Sequence, residues 1–160
     1  MKLHAQSPFT RLWIMLLLTG LTLVSLPVLS SAVTIGEEYG GGIVFSVDAS
    51  GQHGLIAAKT DVPGHSSGIP EGFFTWKDAQ LACKHFVSNG YSDWFLPNKE
   101  QLNQLYLQKS AVGFVAAHYN FYWSSSEGDK DHAWFQFFIN GYQNLDFKTV
   151  INRVRAVRAF

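Results

Sequence analysis

Lys148, Arg153, Arg155 and Arg158 crowd the end of the 160-residue chain, and no acidic residue follows Asp146. Guanidinium forks match the oxygens of sulfate and phosphate, so such a cluster can make an anion-binding patch. On a strand, Arg153 and Arg155 point the same way, while Arg158 shares the other face with Val154, Ala156 and Phe160. Arg158 is therefore expected to be structural, paired with a carboxylate. Arg153, Arg155 and Lys148 are the candidates for ligand binding. The competing account is simple: arginines on strands are ordinary surface residues.

A second cluster has Glu127, Asp129 and Asp131 at alternate positions of one loop. Oxygen ligands so spaced suit Ca2+, which takes six to eight of them. Lys130 interrupts the set, and a solvated turn is the simpler account. Calcium is thus a weak candidate, and no other metal or cofactor is expected. Trp76, Trp94, Trp123 and Trp134 could each stack on a sugar ring. Trp123 is the one least committed to a core, although burial suits any large aromatic.

Catalytic arrangements are missing. Cys83 and His85 stand two apart on a helix and so face different ways, which makes Cys83 an inert packing residue. His53, His65, His85, His118 and His132 lack metal-ligand spacing, and Ser124-Ser125-Ser126 lacks the nucleophile-elbow glycines. Gly40-Gly41-Gly42 leads into a strand, so it reads as a tight turn and not as a phosphate loop.

The elements that must position these groups follow from patterning. Residues 1–32 are expected to be a signal peptide: Lys2 and Arg11, an apolar run from Leu12 to Leu29, then Ser30-Ser31-Ala32 as cleavage site. The remainder, 33–160, carries 10 basic and 12 acidic residues and 15% of the whole chain is aromatic. That balance argues against nucleic acid as a partner and against membrane attraction after cleavage. A single cysteine leaves neither a disulfide framework nor a cysteine-built zinc site.

Ile43–Val47 and His53–Lys59 read as an antiparallel pair, followed by a Gly/Pro/Ser-rich loop over 60–72. Thr75 caps one helix, with Asp78 answering and Asn89-Gly90 ending it; Asn98 and Gln101 box the start of a second. Phe121–Ser125 is a strand. Asn140-Gly141 predicts a two-residue turn joining Ala133–Ile139 to Tyr142–Thr149, with Trp134 opposite Phe147. That register gathers Trp134, Phe138, Leu145 and Phe147 into a core face. Val150–Phe160 closes the sheet. The fold class is α+β, a compact single domain with two helices packed on antiparallel sheet.

Several phrases together carry a resemblance. They are Tyr39-Gly40-Gly41-Gly42-Ile43-Val44-Phe45, Ser50-Gly51-Gln52-His53-Gly54, and Asp93-Trp94 with Leu96-Pro97-Asn98-Lys99-Glu100. Tyr122-Trp123-Ser124-Ser125, Ala133-Trp134 with Gly141, and Arg153-Val154-Arg155-Ala156-Val157-Arg158 complete them. The chain from Glu38 to Phe160 resembles the C-terminal domain of the Legionella collagen-like adhesin (Lcl) family, a bacterial exported domain of unknown function. The resemblance implies a C-type-lectin-like frame and cell-surface binding of glycans, sulfated polysaccharides first. Two departures stand out: Phe95 replaces the family's usual arginine, and no collagen-like Gly-X-Y stalk occurs among the 160 residues.

The expectation is a secreted or periplasmic, non-enzymatic binding and adhesion domain for a polysaccharide or cell-surface glycan. The loops over 60–72 and 127–132 would contribute contacts. Two alternatives stay open: a structural or protein-interaction module using Phe135, Phe137, Ile139 and Tyr142, with an oligomer as its expected sign; and an uncharacterised enzyme on a lectin-like frame.

Overall fold

The computed structural model describes residues 32–114 and 120–160. The expected signal peptide, apart from Ala32, and His118 lie outside the described residues. Strands β1 (Glu38–Tyr39), β2 (Gly42–Val47) and β3 (Gly54–Ala57) are followed by helices α1 (Trp76–His85) and α2 (Lys99–Leu107). Then come β4 (Phe121–Glu127), β5 (His132–Phe137), β6 (Gln143–Phe147) and β7 (Val157–Ala159). They form two antiparallel sheets, ordered β1-β2-β3-β7 and β4-β5-β6.

Alternating side chains feed two cores. Val44 and Trp123 enter one, with Phe74, Trp76, Cys83 and Trp94; their neighbours Phe45 and Tyr122 enter the other, with Leu102, Leu105 and Phe138. Helix α1 thus supplies the first core and α2 the second, and each covers its own share of sheet. A bulge between Val44 and Ser46 shifts the β2–β3 register there. Gly42 sits against β3 so closely that a Cβ would meet the Ala57 carbonyl oxygen.

Both predicted helix caps form. Thr75 Oγ1 accepts from the Asp78 amide, and Asn98 with Gln101 makes a reciprocal box. Helix α1, however, stops at His85, before the expected Asn89-Gly90. The Phe86 backbone turns extended, and Asn89 takes a left-handed conformation (φ 52°) in a turn closed by Ser88 and Tyr91. Val87, just past the end of the helix, is exposed as a result.

The C-terminal third departs further from expectation. Trp134 pairs with Leu145 and Gln136 with Gln143, a register two residues away from the predicted one. Phe138 is the cause: it leaves the strand, its amide donates to the Asn120 carbonyl, and its ring packs on Tyr106, Phe114 and Tyr122. The connection therefore runs from Phe138 to Gly141, where φ is 82° and the Tyr106 ring leaves no room for a Cβ. Phe147 consequently ends exposed, not in the core. The closing strand is also short, covering only Val157–Ala159.

Residues before it act as a seam. Asn152 bridges to Phe74, Arg153 runs parallel to Tyr122, and Val157 bridges to Phe95. Val154 and Ala156 accept amide bonds from Val62 and Ala58. One extended segment thus exchanges backbone bonds with both sheets and with the loops between them.

The loop over 60–72 is tied to α1 through Ser66, which accepts from the Thr75 amide and donates to Asp78. Hydrogen bonds from the Ser66 and Thr75 hydroxyls hold the Asp78 carboxyl below its ordinary value of 3.8. A depressed carboxyl stabilises the fold above its unfolded pKa and loses that contribution as pH falls through the folded one. Ser66→Ala should therefore destabilise the domain more at pH 7 than at pH 2, as read by urea denaturation at each pH.

Candidate functional site

Asp61 lies in the loop over 60–72, more than sixty residues before each of its partners, yet it gathers three donors. Arg155 Nε donates to its Oδ1 at 2.8 Å. Arg153 Nη1 and the Tyr122 hydroxyl donate to Oδ2 at 3.2 and 3.1 Å. The alternation of the seam puts Arg153 and Arg155 on one face, as their spacing predicts, and the β4 pairing brings Tyr122 beside them. Burial, with the Asp61 charge next in weight, pushes the Tyr122 phenol far above its usual range, so it stays a hydrogen-bond donor.

These groups wall a pocket of about 310 Å³, together with Lys59 and Asn120. Phe114 lines it too and lies under Arg155, whose Cζ is 4.1 Å from the ring centroid. Its volume is at the lower end of small-ligand sites. The wall carries Lys59, Arg153 and Arg155 against the single carboxylate of Asp61. Lys59 also reaches Glu38 at 2.6 Å, a pair exposed on both sides.

The two arginines play unequal parts. Arg155 is a correction to the sequence reading: its side chain is only 7% exposed and also donates to the Ala58 carbonyl, so it braces the pocket floor. Arg153 is 28% exposed and lies over the Phe73 ring at 4.9 Å. It is the arginine a ligand can reach.

The other candidates sit elsewhere. Trp123 is fully buried and its indole donates to the Phe74 carbonyl, so it cannot stack on a sugar. Lys148 is not part of the arginine patch. Its ammonium is held by Glu127 Oε2 at 2.7 Å and the Asp129 and Lys130 carbonyls at 2.9 and 3.0 Å, over the Trp76 ring. A built-in cation therefore fills the acidic loop where calcium was considered. Asp129 meanwhile accepts from the Asp131 and His132 amides, and it also meets His132 Nδ1, which lowers its pKa. Asp131 lies 3.5 Å from Lys130. Among the described residues, Glu127, Asp129 and Asp131 do not converge as a metal site, nor does any other group of three such ligands.

Arg158 takes the structural role its strand face predicts. It grips Asp93 with Nε and Nη2 at 2.7 and 2.8 Å, donates to the Gly40 carbonyl and covers the Tyr91 ring. This one side chain joins the triple-glycine phrase, the Asp93-Trp94 phrase and the terminal arginine phrase. Ser124-Ser125-Ser126 is likewise structural. The Ser124 carbonyl accepts from Trp76, Ser125 donates its amide to the Pro97 carbonyl, and Ser126 Oγ accepts from the Lys99 amide at the start of α2. Cys83 is buried, and burial pushes its thiol up to about 12. His65 pairs instead with Glu71 in the loop.

Sequence reasoning missed Asp61 because nothing local marks it. The signal available was indirect: two same-facing arginines among Val154, Ala156 and Val157 require a carboxylate partner when that segment is buried.

Among the described residues, two antiparallel sheets and two flanking helices define an α+β domain, with the Asp61 pocket as a recessed charged site. The model of the Lcl C-terminal domain matches residues 52–158, and the chain belongs to that family. The match begins after the triple-glycine phrase, so that phrase is joined to the family region by Arg158 in space and not by the match itself. A search of curated proteins finds no match.

Asp61→Asn should lower stability by about 3 kcal/mol, because it strands a buried guanidinium. Glu38→Gln, which breaks only an exposed pair, should change it by less than about 0.5 kcal/mol. Chemical denaturation of both variants checks this.

Proposed function

We propose that this is an exported, non-enzymatic binding domain that takes an anionic carbohydrate unit in the pocket beside Asp61. The observation that carries the reading is the charge of the wall: Lys59, Arg153 and Arg155 meet the Asp61 carboxylate and the Glu38 carboxylate beside Lys59, which leaves one positive charge over. A sulfate or carboxylate on the sugar balances that excess. Asp61 fixes both guanidiniums in advance, so less side-chain freedom is lost on binding. Asn120 and Lys59 offer hydrogen bonds to hydroxyls, and Phe114 gives an aromatic face. The resemblance to a glycan-binding adhesin family and the signal-like leader support a cell-surface or secreted setting, and the lectin-like frame belongs to the same proposal.

The buried thiol of Cys83 and the pairing of His65 with Glu71 give no support to a nucleophile–base site. A second reading, protein interaction, keeps one observation in its favour. Ile139 and Tyr142 are about half exposed on the hairpin connection, while Phe135 from the same expected face is buried and Phe137 stacks on Phe121. A stable oligomer in solution that shields Ile139 and Tyr142 would favour it.

Retention on heparin across a salt gradient tests the main reading. The protein should elute at a definite salt concentration, since the contact is ionic. Arg153→Gln and Lys59→Gln should each elute earlier; the first leaves Asp61 bound to Arg155 and Tyr122, so the fold is kept. Lys130→Gln, outside the pocket, should elute with the parent protein. Flow-through of the parent protein at low salt, or an equal loss in Lys130→Gln, would contradict the reading.

A further inference from the structure

Lys59 belongs to two pockets at once. It lines the charged pocket beside Asp61, and with Glu38, Tyr39 and the triple glycine it lines a second one of about 140 Å³. Glu38 lines only the second. Its Oε2 lies 2.6 Å from the Lys59 ammonium, so a carboxylate outside the charged pocket holds one of that pocket's cations.

The backbone fixes this pairing. Ile43 of β2 faces Glu38 of β1 on one side and Ala57 of β3 on the other. Lys59 follows Ala57 by two residues, past the end of β3, which brings its long side chain within reach of the edge strand. Two bonds pin the hairpin that carries Glu38: Arg158 Nη1 donates to the Gly40 carbonyl, and Asn89 Nδ2 donates to the Gly41 carbonyl. Lys59 is anchored through Ala58, whose amide donates to the Ala156 carbonyl and whose own carbonyl accepts from Arg155. The two side chains are not held in this way, being 43% and 69% exposed. An exposed ion pair is weak, so an anion in the charged pocket can take the ammonium from it.

Resting on the pocket reading above, we propose that Glu38 is a positioning residue that competes with the ligand for Lys59. In the free protein Glu38 is the counterion of Lys59. The anionic group of the ligand displaces it, and the affinity of the pocket is lower by the strength of the pair that must break. Glu38 acts through Lys59 and does not itself touch the ligand.

The test is an NMR-detected titration with glucose 6-sulfate. Glu38→Gln should bind about two- to fivefold more tightly than the parent protein, the worth of one exposed pair. That gain should disappear when Glu38→Gln is made in a Lys59→Gln background, which separates release of Lys59 from a general change of charge. Glu100→Gln, an exposed carboxylate of α2 that lines neither pocket, should bind like the parent. In the parent, the side-chain carboxylate signal of Glu38 should shift as the probe is added. Equal affinity of parent and Glu38→Gln, or an equal gain with and without Lys59, would overturn the role of Glu38 while leaving the anionic-sugar reading standing. Binding by neither the parent nor Glu38→Gln would overturn both.

Discussion

The constraint on which this structure depends is that a nearly buried guanidinium must find a carboxylate. Arg155 is held on a segment whose neighbours Val154 and Ala156 are fully buried, so it has little access to water. An unpaired charge there would be prohibitive. Asp61 answers it, and by doing so fixes where the loop over 60–72 runs. The same carboxylate then holds Arg153 and the Tyr122 hydroxyl, which sets the wall of the pocket. Fold and candidate site are therefore one arrangement: the group that stabilises the seam also aims the accessible arginine.

A second arginine repeats the principle at the other end of the seam. Arg158 binds Asp93 and Gly40, joining the chain before α2 to the turn that opens β2. From Asn152 to Val157 the seam also contributes backbone bonds to Phe74, Val62, Ala58 and Phe95. Short strands suffice because this segment links them; β7 has three residues and β1 two. The serine-rich end of β4 serves the helices similarly, accepting the Trp76 indole and the first amide of α2. These phrases of sequence are thus mainly interlocking parts, and the ligand chemistry lies in side chains between them.

Local signals were the legible ones. The Thr75 and Asn98 caps, the β2–β3 pair and the pairing of Arg158 with a carboxylate all follow from residues close together or from strand alternation. The hairpin register was not legible, because Asn140-Gly141 favours a two-residue turn locally, whereas tertiary packing of Phe138 pulls it out of the strand. Trp123 could not be distinguished from a surface tryptophan, since its burial is set by Phe74 and by α1, far along the chain. Asp61 was hidden for the same reason: a single aspartate in a Gly/Pro/Ser-rich loop acquires meaning only from Arg153, Arg155 and Tyr122. The acidic loop suggested calcium by spacing alone, and only the structure shows the Lys148 ammonium among its oxygens.

The most direct test of the central claim is to follow the arginine Nε–H resonances by NMR while a heparin oligosaccharide is titrated in. The account predicts that Arg153 shifts most, that Arg155 shifts less because Asp61 and Ala58 hold it, and that Arg158 stays in place against Asp93. Shifts centred on Arg158, or on the hairpin amides around Ile139 and Tyr142 with Arg153 silent, would contradict it.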